Sequence, residues 1–165
     1  MAGEPREGSV DKHEVFKFAE GRGFRCENFF GEDPTACARI IGPDGVELPQ
    51  QVADGVTEIE AVTNAIGKAL AGFVDFSLLR LNQPGVKLER PHGEDLFQSK
   101  THIWLTGSYN GNDFSPRGDA RDDRFAKAYG LALLRLCGDI YLKEQRRSAE
   151  NQAAVAVAEE LVTVS

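Results

Sequence analysis

Residues 108–141 read Ser108-Tyr-Asn-Gly-Asn-Asp-Phe-Ser-Pro-Arg-Gly118-Asp-Ala-Arg-Asp-Asp-Arg-Phe125-Ala-Lys-Ala-Tyr-Gly-Leu-Ala-Leu-Leu-Arg-Leu-Cys-Gly-Asp-Ile-Tyr141. Asn110-Gly111 lies between two short strand-like runs, and this dipeptide tolerates the positive φ of a tight hairpin turn. Residues 101–106 and 112–115 are therefore expected to pair across it. Gly118 is expected to break the chain into a loop, with Asp119, Asp122 and Asp123 as candidate N-cap and first-turn charges of a helix. Phe125, Tyr129, Leu133, Leu136 and Ile140 recur at intervals of three and four, which gives that helix one apolar face. A loop leading into a helix N-terminus offers free backbone N–H groups to a small polar ligand.

Working outward, the 165 residues suffice for one domain with its own core. A composition of 41% hydrophobic and 27% charged residues fits a globular chain rather than a disordered one. A formal net charge of -7 argues against a nucleic-acid surface. The cluster Lys143, Arg146 and Arg147 is read as dipole compensation at a helix C-terminus. Cys26, Cys37 and Cys137 are widely spaced and form no CxxC pair, so neither a zinc site nor a redox motif is expected. An odd cysteine number without a leader-like apolar stretch points to reduced thiols and a cytoplasmic protein. No apolar run is long enough for a membrane span.

Upstream, residues 1–22 are expected to form an N-terminal extension, with 15–18 as a weak strand or short helix. Residues 24–30 and 35–41 read as strands separated by turns at 31–34 and 42–45. Thr57 with Glu60 is a capping box, and Ile59, Val62, Ile66, Leu70 and Phe73 line one face of the helix it opens. Gly72 is placed as its C-terminal cap. Residues 76–82 read as a strand, 83–85 as a turn and 86–99 as a longer loop. The charged and then Ala/Val-rich tail 143–165 leaves three alternatives: an extension of the second helix, a separate helix, or a segment packed on a partner. Strands and helices in this order predict an α+β fold, an antiparallel sheet packed against two helices. Ala65, Ala69 and Leu70 counted from Gly55 match Ala128, Ala132 and Leu133 counted from Gly118, a faint internal repeat.

Three segments, in order, resemble the C-terminal regulatory domain of 2-isopropylmalate synthases and related citramalate synthases. Asp33-Pro-Thr-Ala36 is similar to that family's "PTA" strand start. Asp54-Gly55-Val-Thr-Glu-Ile-Glu-Ala61-Val-Thr-Asn-Ala65-Ile66 is similar to its "G-x-G-P-V-D-A-x-x-x-A-I" helix start. Tyr109-Asn-Gly111 through Gly118, Ala120 and Asp122 into an Ala-rich helix resembles its "G-x-G-x-S-x-D-I-x-x-A-S-A-K-A" segment. Thr57 and Glu58 stand in place of the family's second glycine and proline, Glu60 in place of its aspartate, and Pro116 in place of a loop glycine. The resemblance covers residues 24–141. It implies two pseudo-repeated βββα-type units over 23–142, a homodimer, and an amino-acid-like or short carboxylic acid effector near the helix-opening loops. The residues so implied are Asp54, Gly55, Thr57, Glu60, Ala61, Gly118, Ala120 and Asp122. A separately encoded synthase is a further implied partner.

The family's chemistry belongs to a metal-dependent barrel of about 250 residues, longer than this chain. The sequence has no His-x-His pair; His13, His92 and His102 fall in a tail, a loop and a strand. The aspartates at 119, 122 and 123 lack the alternating oxygen ligands of a calcium loop. Ser108 and Ser115 lack a triad context. Cys137 on the apolar helix face reads as a small buried hydrophobe, and Trp104 as core or interface. No catalytic residue, metal or cofactor is therefore expected. The functional expectation is a binding module, with a dimerisation domain that has lost its effector as the alternative.

Overall fold

The computed structural model describes residues 14–89, 100–122 and 124–164, excluding the side chains of 115–119, 121 and 161–164. It shows an α+β fold whose antiparallel strands divide among three sheets. The smallest pairs β1 (Lys17–Phe18) with β4 (Ile40–Ile41). The second is ordered β2 (Phe24–Glu27), β3 (Thr35–Ala38), β5 (Gln51–Asp54). In the third, β8 (Lys100–Tyr109) is central. It pairs on one side with β6 (Leu79–Leu81) and β7 (Gly85–Glu89), and with β9 (Asn112–Asp122) on the other. Helix α1 (Glu58–Ala69) packs on β3 and β5, α2 (Phe125–Val164) on β8 and β9, and the two helices on each other.

Helix α1 begins where the sequence places it. Thr57 is extended and its hydroxyl accepts from Glu60 N at 3.1 Å, while Glu60 Oε1 accepts from Val56 N at 3.2 Å. Its buried stripe is Ala61, Val62, Ala65 and Ile66. These face Ala36, Ala38 and Ala53, small strand residues that let the helix approach closely. The helix ends at Leu70, whose N–H donates to Ile66 O, and not at Gly72. Residues Phe76–Leu78 form a 3-10 turn rather than strand, because Asp75 Oδ1 accepts from both Ser77 N and Ser77 Oγ. Those bonds lower the pKa of the Asp75 carboxyl. The expected loop at 86–99 is in part strand, since β7 pairs in register with β8 from Gly85↔Trp104 to Glu89↔Lys100; residues 90–99 lie outside the described ones.

Two further readings change. Phe16 is buried and its ring packs edge-on to Phe73 and Tyr141, so the packed body starts before residue 23. Gly118 does not break the chain, because β9 runs through it. The register moves from Leu105↔Arg117 to Ile103↔Ala120, and again between Leu105 and Gly107, which places extra β9 residues in bulges. A bulged edge strand is where Pro116 and Gly118 are tolerated inside a sheet.

Helix α2 is one helix of 40 residues. Its first half carries Tyr129, Leu133, Leu136, Cys137 and Ile140 into the core. Its second half continues as an arm whose side chains from Gln145 to Glu160 are all exposed. Lys143, Arg146 and Arg147 therefore sit mid-helix, not at a C-terminus. Among the described residues no helix is long and apolar enough to cross a membrane.

Candidate functional site

The first group of sequence-named residues converges where β5 runs into α1. Asp54 closes β5, and its Oδ1 accepts from Thr35 Oγ1 at 2.7 Å across the strand pair. Its backbone carbonyl accepts from Asn64 Nδ2 at 3.0 Å. Gly55 N donates to Pro34 O at 3.1 Å, which ties the β2–β3 turn to the start of α1. A Cβ at Gly55 would collide with Ala61 N and Glu60 C, so only glycine lets the helix begin this close to the strand.

This helix end is self-capped. The donors at 56 and 60 are taken by Glu60 and Thr57, and the first turn adds Glu58. An anion placed there would meet two carboxylates. Ala61 is fully buried. Thr57, Glu60 and Ala61 thus fix the position of the helix on the strand.

The second group falls elsewhere. Gly118 and Ala120 lie within β9 and Asp122 at its end, with Ala120 buried against the core. Asp122 Oδ1 accepts from Arg124 N at 3.0 Å and turns the chain into α2. The groups occupy two different sheets, and Gly118 lies within a strand where a loop was expected, whereas Gly55 opens the short connection from β5 into α1. Residue 123 and the Asp119 side chain lie outside the described residues, as do His13 and His92. His102 packs in β8 against Trp104, ring centroids 5.1 Å apart.

Asp54 does line a groove of about 540 Å³ between α1 and the edge of β5. Its floor is apolar, formed by Ala53, Gly67, Ala71 and the ring of Phe76. Two charged residues line it, Asp54 and Lys68. Asp54 stands beside Asn64, and Lys68 Nζ donates to Val52 O at 3.3 Å.

Lys68 was not singled out from the sequence. On α1 it reads as a last-turn cation, and only the register Cys37↔Val52 and Thr35↔Asp54 brings its helix face beside β5. The same end of the sheet carries exposed apolar side chains. Phe29 and Phe30 in the β2–β3 turn are 62% and 107% exposed, and Val56 is 72% exposed. Cys137 is fully buried and its thiol pKa is pushed up by desolvation, so it is an inert core residue. Among the described residues no three His, Cys, Asp or Glu side chains gather into a metal-ligating group. The chain matches no known protein-family model and no curated protein.

Proposed function

We propose that the chain is a non-catalytic regulatory module that binds an amino acid or short amino-carboxylic acid in the groove beside α1. The observation that carries this is a groove with an apolar floor that an acidic and a basic residue, Asp54 and Lys68, both line. Asp54 receives the ammonium, Lys68 the carboxylate, and Phe76 with Ala71 the side chain. The resemblance to the regulatory domain of 2-isopropylmalate synthases supports the ligand class. The fold adds a point in the same direction: each helix follows three antiparallel neighbours, β2-β3-β5 before α1 and β7-β8-β9 before α2. In this reading the two halves are pseudo-repeated units and the effector acts through a partner synthase encoded separately.

The test is a thermal-shift screen against the twenty amino acids and common 2-oxo and hydroxy acids. A ligand at a hundred times its Kd stabilises the native state by about 2.7 kcal/mol. We expect a shift with an amino acid and a smaller one with its 2-oxo analogue, which lacks the ammonium. Asp54→Asn and Lys68→Met should each abolish the shift while leaving the ligand-free midpoint within a degree or two. If no compound shifts the midpoint, the sensor reading fails.

One observation favours a second reading, a dimerisation domain without effector. Phe29, Phe30 and Val56 form an exposed apolar rim at the α1 end, of the kind found at contact surfaces. A dimer in solution that is lost on Phe30→Ser, with no ligand shift, would favour this reading.

A further inference from the structure

Where the β8–β9 hairpin meets α2, the two elements enclose a cavity of about 360 Å³, apart from the groove beside α1. On the helix side, Leu136, Ile140, Lys143 and Arg147 follow at intervals of four, three and four, so one face of α2 lines it. That face changes character along its length. Leu136 and Ile140 are 1% and 7% exposed, whereas Lys143 and Arg147 are open to solvent, as is Arg146 beside them. The facing wall is aromatic. Tyr109 and Phe114 lie on either side of the Asn110-Gly111 turn, and the Tyr109 hydroxyl accepts from Asp75 N at 3.2 Å, which ties the hairpin to the body. The cavity is thus apolar at its inner end and charged at its outer end.

Six charged residues border it, and they do not cancel. Glu144 and Arg147 pair with each other at 3.5 Å. Asp139 has an interaction of its own. Lys143 and Arg146 then stand against Asp113, two cations to one carboxylate, none of the three in a hydrogen bond or ion pair among the described residues. Compensation of the helix dipole does not account for these cations, because α2 runs on to Val164 and the dipole acts only within the last turn.

We propose that this cavity is a second binding site, taking a small organic anion with an apolar body, such as an alkyl or aryl carboxylate. The body lies against Leu136, Ile140 and Phe114, and the carboxylate reaches Lys143 and Arg146. Leu136 to Lys143 is seven residues, about 10 Å of helix, which sets the length of the body. The volume falls at the small end of the roughly 300–1,000 Å³ of ligand pockets. The cavity shares no residue with the groove beside α1, so the two sites stand or fall separately.

Octanoate is the probe, with octanol and octylammonium as controls that carry the same body. Calorimetry on the full chain should show one saturable octanoate site per chain. Octanol should bind about tenfold more weakly, the worth of one hydrogen bond to a charged group, and octylammonium more weakly still. Lys143→Met with Arg146→Met keeps the apolar stems and removes the charges. Octanoate should then bind about tenfold more weakly, at the level of octanol, with the ligand-free melting midpoint unmoved. Amide NMR shifts locate the site without any substitution, and on adding octanoate they should gather at Tyr109, Phe114, Ile140 and Lys143. Shifts confined to the apolar rim of Phe29, Phe30 and Val56 would overturn the proposal, as would the absence of saturable binding up to millimolar octanoate. So would octanol binding as tightly as octanoate, or the double variant binding octanoate as the parent does. Tighter binding of octylammonium would show that Asp113 sets the sign of the site, and would overturn it too.

Discussion

Tyr129 and Cys137 show how one residue's burial becomes a property of the protein. The Tyr129 hydroxyl lies 2.7 Å from Thr63 Oγ1, whose own proton goes to Ile59 O at 2.7 Å, so Tyr129 is the donor. Burial raises its pKa above the ordinary 10.0, outweighing the effect of the hydrogen bond with Thr63. Desolvation likewise raises the Cys137 thiol above 9.0. Both folded pKa values lie above the unfolded ones, so the folded state holds its protons more tightly. Their contribution is complete below about pH 9 and is lost as pH rises through the alkaline range. Melting curves at stepped pH should show a midpoint that falls above pH 9, and the fall should be shallower in Tyr129→Phe and in Cys137→Ala. An unchanged slope in the double variant would show that other groups control alkaline unfolding. At this scale the capping box of Thr57 and Glu60 and the inert character of Cys137 were legible, because local spacing sets both. The place of Lys68 beside Val52 and Asp54 was not, because strand register alone brings α1 beside β5.

The β8–β9 hairpin separates what a sequence states about an element from what it hides. Asn110 has φ 52° and Gly111 φ 82°, the positive pair that a two-residue turn with the twist of its strands requires. The turn was readable because only a few dipeptides tolerate it. The length of β9 was not, because Pro116 and Gly118 carry loop signals and the strand absorbs them as bulges. The continuity of α2 was undecided for a related reason: past residue 148 its alanines favour helix and its valines do not, and no periodic face is buried in the body. Gly111→Val should cost about 1–2 kcal/mol by forcing a branched side chain into the left-handed region. Gly111→Asn should cost less, because asparagine visits that region readily. Chemical denaturation of both variants checks the order, and equal midpoints would mean that the hairpin turn contributes little to stability.

At the scale of the whole molecule, three sheets share one core. The cluster runs without a break from Phe16 and Ile40 through Ala36 and Ala53 to Ile103, Leu105 and Ala120, and the two helices join it through Val62, Ile66, Leu133 and Leu136. A contiguous core predicts that the sheets unfold together, although the chain divides readily on paper into two halves. Trp104, the single tryptophan, stands on β8 of the third sheet, so its fluorescence reports that sheet, whereas far-UV circular dichroism reports both helices. The two signals should give one midpoint in denaturant. Leu133→Ala, at the fully buried centre, should lower both midpoints together by an amount equivalent to about 2–5 kcal/mol. Separate transitions, with Trp104 changing at one concentration and the helical signal at another, would mean that each half folds alone. The two halves would then be separate domains, and a ligand in the groove beside α1 would stabilise the first half only. Coincident transitions make the alternative concrete. Any ligand bound in the groove between β5 and α1 would then stabilise a unit that includes the root of α2.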